Sequence, residues 1–188
     1  REQDCFEKKE IKVSLGEFKE AVSDEKQYIQ KRRDILASIT LVEDYREFMD
    51  SCFCNSCFAD NILSGMKYID NFTLHTREIT DCLALLNDEA VELYNKYRNN
   101  LKEAMAILTA KQIACSPDHK HKADLVFPFT YYEELEGVQK SVKKEVVCEP
   151  HLKLLNRHSN LRIYFSWMDN QVGDGKKVLV GRIGGHPY

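Results

Sequence analysis

Ser51-Cys52-Phe53-Cys54-Asn55-Ser56-Cys57-Phe58 puts three of the chain's seven cysteines into six residues, between two long stretches of helical periodicity. How this octapeptide is read decides the architecture. The spacing Cys-x-Cys-x-x-Cys admits three kinds of chemistry. As a disulfide node, Cys52, Cys54 and Cys57 would be tied to the distant Cys5, Cys82, Cys115 and Cys148, clamping helix ends and constraining the unfolded chain by about 2–4 kcal/mol per bridge. As a structural zinc site, the three thiolates would need a fourth ligand such as Cys82 or His75, and no second Cys or His pair at matching spacing accompanies them. A thiol–disulfide redox centre at Cys54 and Cys57 would need a cation to lower a thiol pKa. No Lys, Arg or His lies between Arg46 and Lys67, whereas Asp50 and Asp60 flank the cluster. The disulfide node is therefore the expected reading, and an odd cysteine count leaves one thiol without a partner in the chain.

On the N-terminal side of the octapeptide, Leu15, Phe18, Val22, Glu25, Ile29, Arg32, Leu36 and Ile39 follow a spacing of three and four. With a capping box at Ser14-Leu15-Gly16-Glu17, the pattern predicts a helix of about seven turns. Thr40-Leu41-Val42-Glu43 offers a second box ahead of Tyr45, Phe48, Met49 and Cys52. On the C-terminal side, Ile62, Leu63, Met66 and Ile69 give a short amphipathic segment. From Thr73 to Ile113 neither proline nor glycine occurs, and apolar residues from Ile79 to Leu108 repeat at helical spacing. That predicts the longest helix, roughly 50–60 Å at 1.5 Å per residue. So long a rod in so short a chain must be covered by its neighbours, which implies an elongated antiparallel bundle. Thr130-Tyr131-Tyr132-Glu133 reads as a third capping box, with Leu135, Val138, Val142 and Val146 on one face of a last helix.

Beyond Pro150 the pattern changes. Leu161-Arg162-Ile163-Tyr164-Phe165-Ser166-Trp167 and Val178-Leu179-Val180-Gly181-Arg182-Ile183 are β-rich runs on either side of Gly173-Asp174-Gly175, and predict a β-hairpin. The expected fold is mainly α: a bundle of three or four helices over residues 1–150, cross-linked by disulfides, with residues 151–188 as a β-hairpin appendage or the start of a second domain.

Composition narrows the function. With 43% apolar and 30% charged residues the chain is an ordinary globular one, and 27 basic against 30 acidic residues give a net charge of −3. No global basic field exists for nucleic acid. The longest uncharged run, Ser51 to Ala59, falls far short of the roughly 20 residues of a membrane span, so membrane attachment is expected only through a segment outside this sequence. The start Arg1-Glu2-Gln3-Asp4 lacks a secretory apolar core, as a processed chain would. Asn71-Phe72-Thr73 matches a glycosylation acceptor, a triplet this composition produces about once by chance.

His119 and His121 beside Asp118 and Asp124 read as a solvated loop rather than a metal site. Cys148 with His151 or His158 resembles a nucleophile and base, but Cys148 follows an apolar face and suits a disulfide equally. Gly173-Asp174-Gly175 is turn chemistry, not a phosphate loop. Phe127, Phe129, Tyr131 and Tyr132 form an aromatic group that is expected to be core, with a binding surface as the lesser reading. No triad, cofactor loop or paired carboxylates stand out, so neither catalysis, cofactor nor small-molecule substrate is expected.

Distributed cysteines favour an oxidising compartment. The expected function is an extracellular or cell-surface module that binds another protein as receptor, ligand or adhesion partner. The alternative is a cytoplasmic coiled-coil adaptor or scaffold subunit with reduced cysteines or one structural zinc.

Overall fold

In the computed structural model, which describes residues 11–13, 16–18, 22, 24–111, 114–118, 122–135, 137–154 and 160–188, the octapeptide carries a strand rather than a cross-link. Short strands β1 (Ile11–Val13) and β2 (Gly16–Phe18) pair antiparallel. The first helix consequently begins later than its stripe predicts. Helix α1 (Glu25–Ser38) starts where the Asp24 carboxylate accepts a hydrogen bond from the Gln27 backbone N–H at 2.9 Å, a true N-cap. Ser14 and Leu15 of the expected capping box lie outside the described residues.

Helix α2 (Val42–Met49) leads into β3 (Ser56–Phe58), followed by α3 (Ile62–Met66), a 3-10 turn at Phe72–Leu74, α4 (Thr76–Lys96) and α5 (Leu101–Lys111). The single 40-residue helix expected here is thus two. The Asn99-Asn100 pair interrupts it: Asn100 donates its N–H to the Tyr97 carbonyl at 2.7 Å, and its carbonyl accepts from the Glu103 N–H at 3.0 Å, closing one helix and opening the next.

Apart from 3-10 turns at Lys122–Asp124 and Val172–Gly175, the remaining elements are strands: β4 (Cys115–Ser116), β5 (Val126–Leu135), β6 (Val138–Val147), β7 (His151–Lys153), β8 (Arg162–Ser166) and β9 (Val178–Gly184). The predicted last helix is half of a ribbon, β5 paired with β6 over ten positions from Val126 opposite Val147 to Leu135 opposite Val138. Val138, Val142 and Val146 recur every four residues, a step that fits a strand of period two as well as a helix. Their β-branched side chains and the turn at Gly137, whose φ is +78°, decide for the strand.

Five strands form one mixed sheet in the order β3-β9-β8-β7-β4, with β3 parallel to β9 and the other pairs antiparallel. The two β-rich C-terminal runs do pair, as β8 and β9, but they lie at the centre of this sheet. The architecture is α/β, and the expected helical bundle is overturned because three short strands drawn from residues 56–58, 115–116 and 151–153 complete the sheet around them.

Helices pack on one face of the sheet over Leu36, Tyr45, Phe53, Ile79, Leu83, Leu86, Phe165 and Val180. The base of the ribbon packs on the other over Leu125, Phe127, Phe129, Cys148, Tyr164 and Leu179. Gly181 permits that second contact, since a Cβ there would meet the Phe127 ring and would lie 2.8 Å from Cys148 Sγ. Lys144 ties the ribbon down through Asp169 at 2.6 Å and Gln171 at 2.8 Å.

The expected disulfides are corrected too. Cys52, Cys54, Cys57, Cys82, Cys115 and Cys148 are all unbonded, and Cys5 lies outside the described residues. The three clustered cysteines diverge because the chain turns between them: Cys52 enters the helix-side core, Cys54 faces solvent, and Cys57 packs against the ribbon-side core. Among the described residues no helix is long and apolar enough to cross a membrane.

Candidate functional site

Strand register assembles one row of chemistry-bearing side chains. Ser116 on β4 lies opposite His151 on β7, His151 opposite Tyr164 on β8, and Tyr164 opposite Arg182 on β9. Directly paired residues share a face, so the four run transversely across four strands, over roughly 14 Å at about 4.8 Å per strand, with the β8–β9 register shifting just beyond the Tyr164–Arg182 pair. Tyr164 belongs to the ribbon-side core, which fixes the face. Arg162, two positions before Tyr164 on the same strand, points the same way by the period-two rule. The Arg162 side chain is buried and donates from Nη1 to the Leu161 carbonyl at 2.8 Å.

Contacts along the row are close. Ser116 Oγ is 3.2 Å from His151 Nε2, and the His151 and Tyr164 rings stand 5.0 Å apart. After β9 the chain folds back over the row. A hydrogen bond of 2.6 Å joins Tyr164 OH to His186 Nδ1, and the His186 and Tyr188 rings lie 5.0 Å apart. Tyr188 OH donates to Asp118 Oδ2 at 2.6 Å, and Arg182 Nε donates to the Gly185 carbonyl at 2.7 Å. Tyr164 is consequently fully covered, while His186 is half-buried and Tyr188 exposed.

Burial sets the protonation states. It lowers the pKa of His151 to about 4, with the Arg162 charge acting in the same direction, so the imidazole is neutral at pH 7. It pushes the Tyr164 phenol well above its ordinary range, and raises Tyr188 with help from the Asp118 carboxylate. The site thus offers two guanidiniums, two imidazoles, two phenols and a serine hydroxyl, mostly donors, around the Asp118 carboxylate. Donors of these kinds suit an anion, and the raised Tyr164 pKa keeps its phenol a hydroxyl.

The residues singled out in the sequence fare differently. Burial raises the thiol pKa at Cys52, Cys57 and Cys148, and at Cys82 and Cys115 to about 12, so these thiols are protonated small apolar groups rather than nucleophiles. Cys148 Sγ approaches the Val146 and Leu179 carbonyls, while His151 turns to Ser116. Asn71 is exposed in a left-handed turn with φ 50°. Phe127 and Phe129 are buried beneath the ribbon, Tyr131 is half-buried with its hydroxyl donating to Glu133 at 2.7 Å, and Tyr132 is exposed. His119, His121 and His158 lie outside the described residues. Among the described residues no three His, Cys, Asp or Glu side chains converge as a metal site would require.

Sequence reading missed Ser116, Arg162, Tyr164, Arg182, His186 and Tyr188. A signal was present: Arg162 and Arg182 interrupt otherwise apolar strands, and a charge in a core strand is costly unless it meets something. Comparison with known protein-family models, curated protein sequences and solved structures finds no match.

Proposed function

We propose that the protein binds a phosphate-bearing ligand on the ribbon-side face of its sheet, at the row Ser116–His151–Tyr164–Arg182. The register that aligns these four residues on one face carries the reading. A phosphate group accepts hydrogen bonds from several directions and matches the planar fork of arginine. Arg182 on β9 supplies such a fork, with the Tyr164 hydroxyl on the neighbouring strand and the His151 imidazole and Ser116 hydroxyl on the strands beyond. The neutral state of His151 lets it serve as donor or acceptor without adding a buried charge.

Calorimetric titration with inorganic phosphate tests the reading. Wild-type protein is expected to bind with a saturable heat, and Arg182→Ala to lose it. Equal heats for both proteins, or none for either, would overturn the proposal.

The second reading retains protein recognition and rests on the ribbon. Tyr132 and Val138 are 68% and 67% exposed near its tip, and among the described residues β6 pairs only with β5. An open edge of this kind accepts an added strand from a partner protein. A photo-reactive residue in place of Tyr132 would capture such a partner. The cysteines lend this reading no extracellular setting, since the six described are unbonded.

A further inference from the structure

The geometry points to a built-in competitor: the Asp118 carboxylate and the tail that it holds occupy the donors an incoming phosphate would use, so the site described above rests in a self-inhibited state. This inference depends on the phosphate reading and adds its regulation. Two donors that face the row are already engaged by oxygen atoms of the chain itself. Tyr188 OH is taken by Asp118 Oδ2, and Arg182 Nε by the Gly185 carbonyl. Both bonds fasten the segment 185–188, which sets His186 on the Tyr164 hydroxyl.

Asp118 is central rather than peripheral to the site. It follows Ser116 by two residues, and its charge acts on His151, Tyr164 and Tyr188 together. A carboxylate set there stands in for one anionic oxygen of the ligand and repels the rest, while its bond to Tyr188 holds the tail shut. The tail has a place to pivot. The Gly184 backbone packs closely on α3, where a Cβ on it would lie 2.5 Å from the Gly65 carbonyl oxygen, whereas a Cβ on Gly185 would meet nothing within 4 Å. Rotation at Gly185 would release the Arg182 and Tyr188 donors in one movement and break the Tyr164–His186 bond, which frees the Tyr164 hydroxyl.

The experiment compares wild type, Asp118→Asn and Arg182→Ala by calorimetric titration with inorganic phosphate. Asparagine keeps an oxygen acceptor for Tyr188 but removes the charge. Asp118→Asn is expected to bind phosphate about tenfold more tightly than wild type, a change of about 1.4 kcal/mol. Unchanged or weaker binding in Asp118→Asn, with wild type binding and Arg182→Ala not, overturns the competitor and leaves the phosphate site standing. Absence of binding in all three removes both. Amide exchange on the wild-type protein gives a readout that needs no variant: phosphate is expected to speed exchange at residues 185, 186 and 188, and slower exchange there would contradict the displaced tail.

Discussion

Residues 51–58 and the row that ends at Arg182 are opposites in how chemistry is distributed. The octapeptide concentrates three thiols in six positions, yet the chain carries Cys52 toward the helix-side core, where its Sγ lies 3.7 Å from the Arg32 carbonyl, Cys54 into solvent and Cys57 toward the ribbon. The row draws single residues from four strands between positions 116 and 182 and brings them to one face. Density along a chain and convergence in space are therefore separate properties. Strand register creates the second, because pairing fixes which residues face each other whatever their distance in sequence.

The comparison breaks most readily at Phe53, the fully buried residue of the octapeptide. If the octapeptide's importance lies in packing, Phe53→Ala should cost about 3–5 kcal/mol in urea denaturation. The Arg33 guanidinium, which stands 5.4 Å from the Phe53 ring centroid, would lose its cover at the same time.

Next in size is a pH effect from the row. The folded state holds His151 near 4 against an ordinary value of 6.5, so the unfolded chain takes up the proton first. Stability should be independent of this group above pH 6.5 and fall as pH drops from 6.5 to 4, by at most about 3 kcal/mol. His151→Gln should flatten that part of the curve in thermal or urea unfolding followed across the same range.

A smaller effect is expected at Tyr164→Phe. Loss of the hydroxyl removes the bond to His186 Nδ1 and should cost about 1 kcal/mol. The same variant should release the tail, read as faster amide exchange at residue 186. At the bottom of the scale, Cys54→Ser should change stability by no more than about 0.5 kcal/mol, since its thiol is exposed and unbonded. A large loss there would restore the octapeptide as a cross-linking node.

What the sequence revealed follows from the range over which each pattern acts. Helical periodicity across residues 25–38, 76–96 and 101–111 is local, and so are the two β-rich runs that become β8 and β9 and the glycine turn between them, where Gly173 and Gly175 take φ of 70° and 66°. The strand β3 was hidden because three residues are too few for a period, and its cysteines suggested another role. The ribbon was hidden because a valine every fourth residue satisfies both helix and strand. The stripe from Leu15 to Val22 continues the helical spacing, but the backbone at residues 16–18 pairs as β2 and Asp24 sets the helix start. Nothing local to Ser116, His151, Tyr164 or Arg182 announces that they are neighbours. Only the exception of two arginines within apolar strands pointed toward the site, and its meaning required the register.

Imidazole NMR resonances of the protein's six histidines, followed as inorganic phosphate is added, test the row most directly. Saturable shifts are expected at His151 and His186 in the wild type, with neither shifting in Arg182→Ala. Shifts spread over all six without saturation, or the same shifts in Arg182→Ala, would contradict it.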